Sequence, residues 1–552
     1  MFRGNTAAEY GGAVVAYAST VTSGTTAYDS NTAGSGGAMF VQLGEFGSAT
    51  DTFGGNAATE YAGAVYVLDG TSTFTSTLLV GNEAAYGGAL VLDGTTATLN
   101  ADVLSNEAEY GGGFLVLGGT TTFQDGTVSE NHALAQGGAF YQEGGSLIVE
   151  NSRFTANVAE ADGGAVYASD VEAIYDGVNL DDGWATGDGG AIAQFGGTIL
   201  LSDSRLTRNV SGSNGGAILA VDVATTAARS TFDDNFAASS GGAVYAWEGN
   251  FAGNALALTA NAAATGGAVF LDTVTGAIVT ESVFDSNEAD HAGAMAILSS
   301  TATFDRNSFA RNDATNHAGA VQVQTGTLVD TGSNYSDNLA LSGRGGALAV
   351  VDGGASLTGV TLDLNSALET GGTIFVQGAA ADASLTFVDS SISNGAATYG
   401  GGIGLSSTGR ASVAASLLRT SVMSSAASEF GGAIYAANYG RGMTLDWTDS
   451  MLSDNTAGTA GGAVLFEGTS TGSTLSCAAT TTGAAGLYRN RDPYAAVVVS
   501  ASPFTFSSRG CDFGEGEMDN SGDVLVAPPS GSQRLYEFGA SASFSCDTAG
   551  CR

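Results

Sequence analysis

The sequence predicts an all-β chain: a right-handed, single-stranded parallel β-helix of about eighteen coils, followed by a small C-terminal β module that bears disulfides. Three observations predict it. A phrase, usually Gly-Gly-Ala followed by an apolar residue, recurs eighteen times between Gly11 and Ala463 at spacings of 24 to 31 residues, the length of one coil. An Asn stands five to seven residues ahead of the phrase in sixteen of the eighteen repeats. All four cysteines and all four prolines fall after the last phrase.

Each part of the coil has a physical reason. The paired glycines open the phrase because they can take positive φ and let neighbouring coils approach closely, which makes a corner. The residue after Gly-Gly-Ala is apolar in every repeat (Val14, Met39, Val65, Leu90, Phe114, Phe140 and onward to Val464) and is expected to face the interior. Two residues later the side chain is usually apolar again, which is strand period, with an outward position between the two. Three short extended runs per coil are expected. An apolar residue three places ahead of the Asn (Phe53, Phe154, Phe232, Phe284, Phe309, Leu452) supplies an inward stack on the third run. The Asn side chains, from Asn5 and Asn31 through Asn312 and Asn338 to Asn455, are expected to hydrogen-bond one above another as a ladder. Gly183 and Ser425 are its expected gaps. At about 4.8 Å per coil, eighteen coils make a rod on the order of 86 Å long.

Stacked coils need contact only their neighbours, so 552 residues imply one long array in place of several globular domains. The domain division expected is a β-helix over 1–466 and a cysteine-containing cap or attachment module over 467–552. Lysine is absent: 16 basic residues, all Arg, stand against 55 acidic ones, a net charge of -39 that excludes nucleic-acid binding. Cys477, Cys511, Cys546 and Cys551 read as two disulfides, in any of three pairings, formed in an oxidising compartment. Apolar runs near Val499, Val526 and Phe544 read as a few antiparallel strands. Asp512, Glu515, Glu517, Asp519 and Asp523 crowd one oxygen-rich stretch that suits Ca²⁺, and no other cofactor is read. No secretory signal precedes the first coil, so the start reads as truncated. No apolar run reaches the roughly 18 residues of a membrane span.

Residues one coil apart stand within about 5 Å and form columns, which is where a site would lie. The outward position two places after the Ala of the phrase is aromatic in many coils: Phe40, Tyr66, Tyr141, Tyr167, Tyr245, Phe270, Phe375 and Tyr435. Such rings suit a sugar or a partner protein; the alternative is stacking that stabilises the sheet beneath a covering loop. The residue just before the phrase gives a second column, in which His291 and His317 are neighbours placed to hold a transition metal or act as a base. Arg208 with Asp234, and Arg311 with Asp337, are expected surface ion pairs. If a binding or active loop exists, the coils between Gly371 and Gly461, lengthened to 29 to 31 residues, are the place for it.

Phe154-Thr-Ala-Asn157 followed by Gly163-Gly-Ala-Val166 resembles the repeats of the chlamydial polymorphic outer membrane proteins, and is similar to the wider pectin-lyase-like group of right-handed parallel β-helices. The resemblance covers about residues 2 to 466. It implies display at a cell surface or outer membrane, or export outside the cell, with adhesive contact to a cell-surface glycan or protein. It does not carry self-translocation, since the long C-terminal stretch of alternating barrel strands is missing. Enzymes of this fold cut polysaccharides by hydrolysis or elimination. The Gly-His-Gly and Arg-x-Lys motifs that the hydrolase branch would show are missing, and only the Asp181-Asp182 and Asp233-Asp234 pairs remain. The reading is a non-catalytic, adhesin-like or structural surface protein, a monomeric rod with an extended binding face and no catalytic residues. A polysaccharide lyase or glycoside hydrolase and a passive rigid spacer are the alternatives.

Overall fold

The computed structural model describes residues 1–468 and, beyond them, 473–480, 485–491, 498–500, 504–509, 511, 525–526, 546–547 and 550–551. The chain divides into two compact units, one of Met1–Ala264 with Ala268–Phe270 and one of Thr265–Gly267 with Leu271–Arg552. Each is a stack of parallel coils, and the chain is a parallel β-solenoid of about 18 turns. No helix occurs among the described residues.

A coil of the first unit shows the pattern. Phe140–Glu143, Ser146–Glu150 and Arg153–Thr155 are its three expected strands. A fourth, Val158–Ala159, has only two residues. Each pairs in parallel with its counterpart in the next coil: Phe140 with Val166, Ser146 with Glu172, Arg153 with Asn179 and Val158 with Trp184. Alternate residues point inward, so Phe140, Gln142, Leu147, Val149, Phe154 and Ala159 are buried. The residues three places before the Asn form the expected inward stack, with Phe284, Phe309 and Tyr335 at ring separations of 4.7 Å.

Corners between strands are left-handed, and many of them are not glycine. In this coil they fall at Gly144 and Gly145, Asn151, Ala156 and Gly163, with φ between 46° and 74°. The residue just ahead of the Asn is left-handed in coil after coil, whether it is Ser30, Glu130, Arg208, Asp234 or Asp454. The two glycines of the phrase do different work. The first is the left-handed corner, which Ala fills at Ala62, Ala292 and Ala318 with φ of 56°, 58° and 61°. The second is Gly in all eighteen repeats. A Cβ on Gly37, Gly164 or Gly293 would drive into the backbone carbonyl oxygen of Gly63, Gly190 or Gly319 one coil on.

The Asn ladder forms. Asn82 is representative: its side-chain Nδ2 donates to Asn106 Oδ1 at 2.9 Å and to the Phe53 carbonyl at 3.0 Å, while its Oδ1 accepts the Asn56 backbone N–H at 3.0 Å. Every donor and acceptor of a buried amide is thereby used at a corner where strand pairing has lapsed. The expected gaps are present at Gly183, whose N–H still donates to Asn209 Oδ1 at 2.9 Å, and at Ser425, whose N–H donates to Asn455 Oδ1 at 2.9 Å. A third gap lies at Gly395. Asn394, counted as a rung from its spacing, sits instead on the left-handed corner, where its Nδ2 donates to Asp363 Oδ1 at 2.8 Å.

A second ladder stands five residues ahead of the first. Ser204 and Ser230 place their hydroxyl oxygens to accept the backbone N–H of Val178 and Ser204, at 3.0 and 3.2 Å. Ser333, Ser390 and Ser450 do the same in the second unit for Asn307, Val360 and Thr420.

Beyond residue 466 the strands expected to be antiparallel run parallel. Val498–Ser500 pairs with Val464–Phe466, and Leu525–Val526 pairs with Val498–Val499. Asn490 supplies a further rung, taking the Asn455 Nδ2 at 2.9 Å, so coil stacking continues past the last phrase. Cys477 and Cys511 form a disulfide between buried positions. Cys546 and Cys551 lie opposite each other on two short antiparallel strands. Asp512, Glu515, Glu517, Asp519, Asp523 and the Phe544 run lie outside the described residues.

Candidate functional site

The strand that follows each phrase presents its middle residue outward, and the aromatic column stands there. Val65–Leu68 pairs with Met39–Gln42 so that Tyr66 lies beside Phe40, and Phe140–Glu143 pairs with Val166–Ser169 so that Tyr141 lies beside Tyr167. Outward does not mean exposed. Phe40, Tyr66, Phe270 and Phe375 are 6 %, 9 %, 9 % and 3 % accessible, while Tyr141, Tyr167, Tyr245 and Tyr435 are half-buried.

What covers them is the column immediately ahead of the phrase, which in the first coils is itself aromatic. Tyr10 packs on Phe40 with ring centroids 4.5 Å apart, and Tyr61 packs on Tyr66 at 5.7 Å. Tyr61, Tyr86 and Tyr110 stack on one another at 5.1 and 5.7 Å. Tyr110 then meets Tyr141 edge-on at 5.5 Å, Tyr141 stacks on Tyr167 at 5.0 Å, and Tyr167 reaches Phe195 at 5.6 Å. A continuous chain of rings therefore runs from Tyr10 to Phe195 in the first unit. The sequence reading missed Tyr10, Tyr61, Tyr86 and Tyr110. The signal was available, since all four stand directly before a phrase in the position that later holds Asp162, Asp188 and the two histidines.

Hydroxyls of this face point at carboxylates. Tyr141 donates to Glu143 Oε1 at 2.5 Å and Tyr66 to Asp93 Oδ2 at 3.4 Å. Burial, and after it the neighbouring carboxylate, raises both phenols well above their ordinary range, so they remain neutral donors. The result is a surface of ring faces fringed by acceptors.

In the second unit a groove of about 650 Å³ opens where the coils lengthen, lined among others by Arg344, Phe375, Tyr399 and Tyr435. The Arg344 guanidinium sits 5.1 Å above the Phe375 ring and bonds Glu369 at 2.9 Å. Tyr399 stacks against Phe430 at 6.0 Å and leans on Tyr435 at 5.2 Å. Tyr435 and Tyr439 both donate to Glu467 Oε1, the second at 2.9 Å. Burial first, then the bond to Glu467, raises the Tyr435 phenol.

The histidine pair is adjacent as expected, with ring centroids 5.5 Å apart. Burial, with His291 and Arg344 nearby, lowers the His317 pKa, and neither Nδ1 has a hydrogen-bond partner. No group of three metal-ligating side chains occurs among the described residues. The third histidine, His132, lies 3.7 Å from Glu107 and 3.3 Å from Glu160.

The ion pairs point the other way from the expectation. Arg208 bonds Asp182 at 2.7 Å and Arg311 bonds Asp285 at 2.6 Å, each one coil back, where the carboxylate stands on or beside the same corner. Asp181 and Asp233 are likewise engaged, by Arg153 and Arg205 at 3.3 Å. Three members of the two acidic pairs are thus held by guanidinium groups.

Compared with known families, residues 229–246 match the model of the Chlamydia polymorphic membrane protein (Chlamydia_PMP) repeat. That stretch contains Phe232, Asn235 and the phrase at Gly241, the same two motifs that recur along the chain. No curated protein and no solved structure matches the chain.

Proposed function

We propose, from the premise that the chain is a β-solenoid repeat protein of the polymorphic membrane protein type, that it is a non-catalytic protein of the cell surface or outer membrane that makes adhesive contact through an extended face. The observation that carries this reading is the ring chain from Tyr10 to Phe195. Tyrosines contribute large, stiff contact area with a polar tip, the composition of recognition surfaces. The repeated coil favours contact over turnover, because a column offers the same group many times along a line and not a concentration of unlike groups at one point. The acidic surface suits a partner that is neutral or basic.

The test is surface labelling of intact cells that make the protein, with antibody raised against the purified chain, together with adhesion of chain-coated beads to cultured epithelial cells. Labelling without permeabilisation and bead retention above albumin-coated controls are expected. Label that appears only after permeabilisation would overturn the location, and beads that adhere no better than controls would overturn the adhesive role.

A further inference from the structure

The groove of the second unit differs in chemistry from the ring chain of the first, and it points to a ligand class. Ring faces make its walls. Tyr399, directly ahead of the phrase at Gly400, stacks against Phe430 and leans on Tyr435, and Phe375 lies further along the same groove. Its polar groups stand at the two ends. At one, Arg344 is fixed over Phe375 and bonded to Glu369. At the other, Tyr435 lines the groove and its hydroxyl bonds Glu467, which stands one coil beyond the lining beside Ala437 and also accepts the Tyr439 hydroxyl. The strands Ile374–Gly378, Ile403–Ser407 and Ile434–Asn438 pair in order beneath it, so Phe375 and Tyr435 stand two coils, or about 10 Å, apart.

We infer that this groove binds an uncharged pyranose oligosaccharide, its ring faces laid on Tyr399 and Tyr435 and its hydroxyls bonded at the two polar ends. Flat aromatic faces match the C–H face of a sugar ring, and polar groups already held by neighbours cost little further ordering on binding. The charge excludes the acidic sugars. In the lining Glu369 is offset by Arg344, while Glu467 and Glu429 stand just outside it and bond the hydroxyls of Tyr435 and Tyr399, so the excess charge around the groove is negative. A cationic peptide is disfavoured because Phe375 is already capped by Arg344 and Glu467 is already bonded twice.

The inference rests on the reading of the chain as a surface binder, and the test separates the two. Saturation-transfer NMR and calorimetry on the full chain use neutral tetrasaccharides of glucose, N-acetylglucosamine, galactose and mannose, matching uronic-acid tetramers, and a lysine-rich peptide. At least one neutral tetrasaccharide is expected to bind, about tenfold more weakly to Tyr399→Ala. The milder Tyr435→Phe keeps the ring and removes the bond to Glu467, and it is expected to weaken binding with an unchanged melting curve. Leu200→Ala, at an exposed position of the other unit outside the ring chain, is expected to leave sugar binding unchanged. Binding by no neutral sugar, binding indifferent to both groove variants, or displacement of the sugar by the peptide would each overturn the inference. Bead adhesion that persists while the sugars fail would strike the groove and leave the surface reading intact.

Discussion

A methyl group on Gly164 would stand 2.0 Å from the Gly190 carbonyl oxygen and meet the Trp184 backbone, both in the next coil, whereas one on Gly163, at φ 70°, would stand 2.3 Å from the Val166 carbonyl oxygen of its own turn, which has only to open locally. The chain already tolerates Ala at the first position in three repeats, and never at the second. Gly163→Ala is therefore expected to destabilise by about 1–2 kcal/mol, the ordinary cost of a left-handed L-residue. Gly164→Ala is expected to exceed about 3 kcal/mol because backbone must move. Local hydrogen exchange over residues 137–192 measures the difference, and equal effects would contradict the division of labour. The same crowding explains why the ladder is broken at Gly183, where a Cβ would lie 2.5 Å from the Gly190 oxygen and 2.8 Å from Asn209 Oδ1. Gly183→Asn restores the missing rung on paper, yet it is expected to lower the urea midpoint. A raised midpoint would show that the gap is accidental.

Within one strand of the second unit, an inward position that is Phe304 in the coil before and Leu357 in the coil after is occupied by Asp330. Its carboxylate is buried and accepts the Ser333 hydroxyl at 2.5 Å and the Tyr335 hydroxyl at 2.6 Å. Burial raises its pKa despite these two bonds, which pull the other way. A folded-state pKa above the unfolded one means that the native chain holds this proton more tightly. The stability it contributes is full below the ordinary carboxylate range and is lost as pH rises through the raised value. Asp182, Asp389 and Asp454, each held by an Arg, have lowered values and the opposite slope, their contribution being lost as pH falls. Subtracting the urea-midpoint profile of Asp330→Asn from that of the parent chain cancels those shared terms. The difference is expected to decline as pH rises above the ordinary carboxylate range, and a flat difference would contradict the assignment.

At this same scale the coil was legible where its signals were long or absolute. The phrase, the Asn and the inward Phe stack were each visible because they recur as a pair at coil spacing. The fourth strand was not, because two residues such as Val158–Ala159 carry no periodicity. Most corners were not, because Asp, Arg, Ser and Ala fill left-handed positions that sequence rules reserve for Gly and Asn. The serine ladder is interrupted by Val178, Leu256 and Val360, which hid it. The aromatic column was legible and the source of its cover was not, since that cover comes from a different column, Tyr10 over Phe40 and Tyr61 over Tyr66, that only the register brings together. Beyond residue 466 the phrase stops while the parallel pairing goes on, Val498 beside Val464 and Phe504 beside Ser473.

Over the whole molecule, a net charge of -39 opposes every compact arrangement of the chain. The Arg–Asp pairs between successive coils, such as Arg229 with Asp203 and Arg419 with Asp389, offset only part of it. Raising salt from about 0.01 M to about 0.1 M shortens the screening length from about 30 Å to about 10 Å, which weakens distant repulsion more than contact pairs. The melting temperature is expected to rise across that range in sodium chloride, and a fall would mean that the ion pairs dominate.

The tyrosine column is either a working face or merely the outer packing of a sheet, and the adhesive role depends on which. Tyr61, Tyr86, Tyr110 and Tyr141 are half-buried, their backbone bonds between coils need no particular side chain, and they can be replaced together by Ser in the full chain. The decisive measurement is adhesion of beads coated with this variant, scored beside parent beads once equal coating and equal far-ultraviolet circular dichroism are established. Adhesion that falls to the albumin control with the fold intact is the expected result. Adhesion that survives the loss of all four rings would contradict the central claim and leave the column as structure alone.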